Sequence, residues 1–132
     1  MTTWLTQPVV LLTVGGALGT NARYGLGYFV RWLWPSLSFP LGTFLINVSG
    51  SALLAFLAFW CRDRAHNPTQ HHIFLLLGAG FCGGYTTFST FAVETIDLMR
   101  RHHPLWGIAN VVASVLVSLV LTAWIISANE SR

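Results

Sequence analysis

The sequence predicts an all-α membrane protein of four transmembrane helices, the third broken mid-membrane. Three observations predict it. Of 132 residues, 54% are hydrophobic and only 8% are charged, where a soluble domain carries about 25% charged residues. Four apolar stretches are each long enough to cross a hydrocarbon core about 30 Å thick. The third of them contains Gly78-Ala-Gly-Phe-Cys-Gly-Gly-Tyr-Thr-Thr-Phe-Ser-Thr-Phe91, four glycines followed by four hydroxyl side chains and two phenyl rings among the last seven residues. Residues 1–132 are expected to form one compact multi-pass domain with little mass outside the bilayer. The chain has no lysine, and its seven arginines fall almost entirely in the expected loops. The resulting charge of +3 gives no reason to expect nucleic acid. Cys61 and Cys82 are not spaced as a metal site, and no disulfide is expected.

The first span covers about residues 9–30. Pro8 suits a helix start and Arg31 marks the exit. No basic residue precedes Val9-Val10-Leu11-Leu12, and apolar character continues past Gly19, so a retained span is expected rather than a signal peptide. Gly15 and Gly19 form a Gly-x-x-x-Gly pair, which reads as close helix packing. Arg23 continues that face some two turns inside the span, where a charge is costly and often functional. Snorkelling to the interface is the other reading.

The second span covers about 39–60, entered through Phe39-Pro40 after a Trp-rich turn that suits an interfacial belt. Thr43, Asn47 and Ser51 are spaced four apart and share one helical face. Threonine and serine can bond back to their own helix carbonyls, so packing explains them as well as function does. The amide of Asn47 has more to satisfy; it is either interhelical glue or part of a polar path. The loop Cys61–His72 is the one clearly hydrophilic connection, and its adjacent histidines read as solvated.

The third span covers about 73–99. As one unbroken helix it would be about 40 Å long at about 1.5 Å per residue, so it must tilt, overhang or break. Each glycine lowers helix propensity by about 1 kcal/mol relative to alanine, which places the expected break at Gly83-Gly84. Backbone freed there must be received by protein or by a water-filled cavity, making it a candidate ion site of carbonyls and hydroxyls. Asp97 and Arg101, four apart, mark an ordinary helix end. Glu94, one turn deeper, is either a vestibule group or part of that solvated end.

The fourth span covers about 105–128. Asn110, Ser114, Ser118 and Thr122 recur every four residues, drifting about 40° per step as a slowly winding polar stripe. Facing the row on the second span it would make a lined track; helix packing alone remains the alternative. With four spans, Arg62, Arg64 and Arg132 lie on one side and Arg31, Arg100 and Arg101 on the other. This three-to-three count gives no orientation by the positive-inside rule. Insertion both ways is then open, and two oppositely oriented copies can pair about an axis in the membrane plane.

These residues resemble a known family. Gly80-Phe-Cys-Gly-Gly-Tyr-Thr-Thr-Phe-Ser-Thr-Phe91 looks like the signature of the Fluc (CrcB) fluoride channels. Gly15-Gly-Ala-Leu-Gly-Thr-Asn-Ala-Arg-Tyr24 and Gly42-Thr-Phe-Leu-Ile-Asn-Val-Ser-Gly50 match its first two spans, while the fourth span matches loosely. The resemblance implies a dual-topology antiparallel homodimer with two pores in the cell (inner) membrane. It implies that Phe88 and Phe91 flank a fluoride path lined by Asn47. It also implies a structural sodium ion at the dimer centre, held by the main-chain oxygens of Gly83 and Thr86 from both subunits. Beside the resemblance, Thr43, Ser114 and Ser118 offer hydroxyl donors to a dehydrated anion, and Arg23 is a vestibule candidate. A phenyl ring has a positive edge, so Phe88 and Phe91, three apart, can cradle an anion edge-on; otherwise they are two core residues. No nucleotide or cofactor motif is visible, which suits a channel and not an enzyme. The competing expectation is a small proton-coupled multidrug exporter, also a four-span dual-topology dimer. It needs a membrane-embedded carboxylate, for which Glu94 is the one candidate.

Overall fold

The computed structural model describes residues 7–101 and 104–130; Arg132, part of the arginine count above, lies outside them. Helix α1 runs Pro8–Leu33. Proline at its first position loses nothing, because that N–H has no intrahelical partner. Arg31 in the last turn suits the negative end of the helix dipole. Pro40 holds Phe39 out of the α conformation, so α2 spans Leu41–Trp60, beginning two residues later than expected. Helix α3, Pro68–Ile73, starts five residues ahead of the expected span. Asn67 explains this: its side chain accepts from the Thr69 and Gln70 amides at 3.0 and 3.3 Å, an N-cap placed just before a proline at the first helical position.

The chain continues without interruption from α3 into a nine-residue π-helical segment, Phe74–Cys82, and then into a single turn, α4, Gly83–Tyr85. The break follows at Thr86 and Thr87. Thr86 is extended, with φ −75° and ψ 157°. Helix α5, Phe88–Arg101, completes the helical run that begins at Pro68, and α6 spans Pro104–Glu130. No strand occurs among the described residues. Among the described residues, three segments are long and apolar enough to cross a membrane: Leu41–Trp60, Pro68–Arg101 and Pro104–Glu130. Helix α1 has the length, at 26 residues, but carries Asn21 and Arg23 at its middle.

The expected break at Gly83-Gly84 is therefore corrected by two to three residues. Cys82 and Gly83 keep right-handed helical dihedrals, and no glycine has positive φ. The glycines serve close approach. Helix α1 seats directly on the π segment and α4. A methyl group on Gly15 would overlap the Leu76 carbonyl, one on Gly19 the Phe81 carbonyl, and one on Gly84 the Gly16 carbonyl. The Gly-x-x-x-Gly reading of α1 thus describes its contact, made with the glycine-rich stretch itself. Around this pair, α2 packs on α6 and α5 on α6. Helix α6 stays largely uncovered, exposing Val112, Leu116, Leu119 and Val120. That surface suits lipid tails, which are as apolar as leucine and leave packing to hold the helices together.

Two substitutions separate packing glycines from incidental ones. Gly15→Ala forces a methyl into backbone and should destabilise by about 1–3 kcal/mol, the usual overpacking cost. Gly25→Ala meets nothing within 4 Å and should be neutral or slightly stabilising, since alanine favours helix by up to about 1 kcal/mol. Thermal unfolding in detergent, followed by tryptophan fluorescence, distinguishes the two.

Candidate functional site

The site is built around the break. Asn47, about two turns into α2, reaches Thr87 with both ends of its amide. Its Nδ2 donates to the Thr87 carbonyl at 3.1 Å, and its Oδ1 accepts from the Thr87 N–H at 2.8 Å. An amide side chain has just these two functions to offer, and here it replaces a neighbouring peptide group for a residue outside any helix. The Thr87 N–H is the regular helical donor to the Gly83 carbonyl four residues back; turned to Asn47, it withdraws from that ladder. Thr87 then caps α5, its Oγ1 accepting from the Thr90 N–H at 3.2 Å. Thr86 closes the other side, its N–H and Oγ1 both donating to the Cys82 carbonyl at 2.9 Å.

Arg23 belongs to the same place. Its Nη1 donates to the Thr86 carbonyl at 3.3 Å, so the guanidinium turns towards the break and does not simply snorkel. A cation there complements carbonyls at the end of the helical run through α4, where the dipole is negative. Thr20, one turn earlier on α1, donates to the Gly84 carbonyl at 3.4 Å. Ser49 on α2 meets the Tyr85 hydroxyl at 3.0 Å. The Thr20 hydroxyl and the Arg23 guanidinium of α1 and the Asn47 amide of α2 thus receive the backbone that the break sets free.

Beside the break lies a cavity of about 590 Å³ between α1, α2 and α5, bordered by Arg23, Arg31, Thr43, Thr87, Ser89 and Glu94. Thr43 and Arg31 border this cavity together with Glu94. Glu94 Oε2 is buried and has no hydrogen-bond partner. Glu94 is therefore a cavity group and not a solvated helix end.

The phenyl rings follow directly. Phe88 and Phe91 lie on the first turn of α5, ring centroids 5.9 Å apart and tilted by 45°. Phe88 is 81% exposed, an apolar ring standing clear of its own chain. The expected facing rows of α2 and α6 are divided differently. Asn47 goes to Thr87 and Thr43 borders the cavity, while on α6 Ser114 donates to Asn110 at 3.4 Å and Asn110 donates to Thr95 of α5 at 2.8 Å. Ser114 is buried and Ser118 half-buried. Sequence reasoning missed Thr87 as the hub. A threonine three residues ahead of Thr90, just before a helix, is a readable N-cap, and it lay inside the motif.

Outside the site, Cys61 is fully buried. Burial pushes its thiol up from the usual range, opposed in part by the Arg64 charge. Arg64 is fixed over the Phe74 ring at 4.4 Å.

A helical membrane protein whose crossing helix is broken beside a charged cavity, the break received by hydroxyls and an amide, belongs to the class that handles ions or small polar solutes within the bilayer. The chain is a member of the CrcB family: the model described as "CrcB-like protein, Camphor Resistance (CrcB)" matches residues 10–125. Among its relatives is Fluoride-specific ion channel FluC 2 of Rhodococcus jostii (strain RHA1), 43% identical over 117 residues, 89% of this chain and 93% of that protein. Fluoride-specific ion channel FluC of Dehalococcoides mccartyi (strain CBDB1) is 41% identical over 114 residues, 86% of this chain and 85% of that one. The FluC of Pyrococcus abyssi (strain GE5 / Orsay) is 42% identical over 116 residues, covering 87% and 89%.

The clamp makes a direct prediction. Asn47→Leu keeps bulk and removes both bonds to Thr87, each loss leaving a buried group unsatisfied at about 1–3 kcal/mol. Deuterium exchange of the Thr87 amide should then quicken by roughly tenfold or more, 1.4 kcal/mol being a factor of about ten. Asn47→Asp retains the acceptor and should fall between.

Proposed function

We propose that this chain is a fluoride-selective channel through which fluoride leaves the cell passively, lowering its cytoplasmic concentration. The observation that carries it is the clamped break, which sets Phe88 and Phe91 on the first turn of α5 beside Asn47. The relatives named as fluoride-specific channels match across nearly the whole chain. Hydrogen fluoride crosses bilayers when neutral, dissociates at the higher internal pH and leaves the anion trapped. A passive anion path driven by membrane potential relieves that accumulation. These relatives do not favour the proton-coupled exporter.

In the proposed channel, the second N–H of Asn47 and the hydroxyls of Thr43 and Ser118, with Ser114 once its hydroxyl turns from Asn110, replace water around the ion, and the positive ring edges of Phe88 and Phe91 hold it. Arg23 and the cavity form the approach. All four long helical runs span the cell (inner) membrane, and two copies pair antiparallel. The exposure of Phe88 supports pairing, since an exposed ring on the first turn of α5 is placed to meet a second copy. The main-chain oxygens of Gly83 and Thr86 suit sodium, a hard cation that prefers oxygen ligands. The helical donor to Gly83 has turned to Asn47, and Gly83 is exposed, which supports a carbonyl open to a ligand. A carbonyl has two acceptor positions, and Arg23 uses one on Thr86. Two carbonyls are too few for such an ion, and the second copy would bring its own pair. When bound, the ion would supply a fixed positive charge that joins the two broken helices.

Phe88→Ile and Phe91→Ile keep apolar bulk and remove the ring quadrupole. As mere packing changes they should cost under about 1.5 kcal/mol. In the proposed path, each should cut fluoride efflux from liposomes by about two orders of magnitude or more, an added barrier of some 3 kcal/mol, while assembly by size exclusion is unchanged. Wild-type efflux in both would remove the rings from the mechanism.

Dual topology is tested at the exposed residue Ala65, since buried Cys61 reports poorly. With Cys61 and Cys82 changed to serine, Ala65→Cys should react with an impermeant thiol reagent from either side of the membrane, each time to about half, as expected where arginine counts give no orientation. Complete reaction from one side alone would exclude the antiparallel pair.

A further inference from the structure

Phe91 is held in place by a relay that begins on the far helix. Ser114 Oγ donates to Asn110 Oδ1 at 3.4 Å. Asn110 Nδ2 donates to Thr95 Oγ1 at 2.8 Å. Thr95 Oγ1 donates to the Phe91 carbonyl at 2.7 Å. All three side chains are buried, and Asn110 is 1% exposed, the most enclosed large polar side chain among the described residues. From this geometry we infer that Asn110 is a positioning residue, setting through Thr95 the turn of α5 that presents Phe91.

The direction of the bonds supports this over simple glue between helices. The Nδ2 group of asparagine can only donate. Thr95 must therefore accept from it with a lone pair and spends its single proton on the Phe91 carbonyl. A threonine that bonds back one turn is sensitive to which way its hydroxyl points, and that choice bends its helix. Asn110 fixes the choice from outside. The two helices are also close at the neighbouring turn: a methyl on Gly107 would overlap the Met99 side chain. With Met99 against Gly107 and Thr95 against Asn110, the contact runs antiparallel towards Phe91 and Ser114. The azimuth of the ring is thereby referred to α6 and not to α5 alone.

The functional consequence rests on the proposed place of Phe91 in the fluoride path, so the test reads position and flux separately. Position is read by ¹⁹F NMR of para-fluorophenylalanine at residue 91, with the same label at exposed Phe56 as control. Flux is read by fluoride efflux from liposomes, with chloride as the counter-test. Thr95→Val is nearly isosteric and deletes the relay hydroxyl; Asn110→Leu deletes the amide. Each should shift or broaden the resonance at 91 but not at 56, and lower fluoride efflux at least tenfold. The double variant should be no worse than either single one, because both cut the same chain, and Thr95→Ser should restore the wild-type resonance. Should Asn110→Leu fail to assemble, Thr95→Val and Thr95→Ser decide alone. An unchanged resonance at 91 in Thr95→Val overturns the inference, whatever the flux. A displaced resonance with wild-type flux upholds the positioning and overturns the place of Phe91 in the path.

Discussion

The fold depends on one side chain satisfying one displaced peptide. A helix interrupted within a bilayer exposes N–H and C=O groups that lipid cannot receive, each at a cost of several kcal/mol. Asn47 answers two of them at Thr87. Thr90 supplies the N–H that Thr87 caps, and Arg23 and Thr20 take carbonyls from the other side. Without that set the run from Pro68 to Arg101 would be driven back to a continuous helix, and the first turn of α5 would lose its fixed start.

That start positions nearly everything polar in the chain. From the Thr87 cap, α5 places Phe88 and Phe91 one turn apart, and then Glu94 at the cavity wall beside Thr43. The glycine seam does the complementary task. With Gly15 and Gly19 of α1 seated on peptide carbonyls of the π segment, α1 comes near enough for Arg23 to reach Thr86. A guanidinium at this depth is costly unless paired, and a bare carbonyl at the end of a helical run is a fitting partner. The seam and the clamp therefore act together: one brings the charge, the other releases the carbonyl it meets.

The apolar periodicity and the scarcity of charge made the helices legible, and the family motifs made the break and its neighbours legible. The limits of that legibility are specific. Propensity put the break at Gly83-Gly84, since glycine weakens an isolated helix. In the folded chain Gly84 allows backbone contact with α1, and the helix persists through Tyr85. The two polar rows were visible as spacing, but their partners were not: a four-residue repeat says which side chains share a face and not what that face meets. Thr95, which receives Asn110, belongs to no row at all.

The sequence by itself determined that this is a helical membrane chain of the CrcB family, that one apolar segment is too long to cross unless it tilts, overhangs or breaks, and which short stretch is weakest as helix. Those properties follow from composition, length against bilayer thickness and local motif, all of which are encoded along the chain. Only the tertiary structure decided that the interruption sits at Thr86 and Thr87, that Asn47 clamps it, that Arg23 turns inward and that Asn110 serves α5. Each of these is a choice between hydrogen-bond partners 15 to 63 residues apart in sequence, and such a choice exists only once the helices have packed.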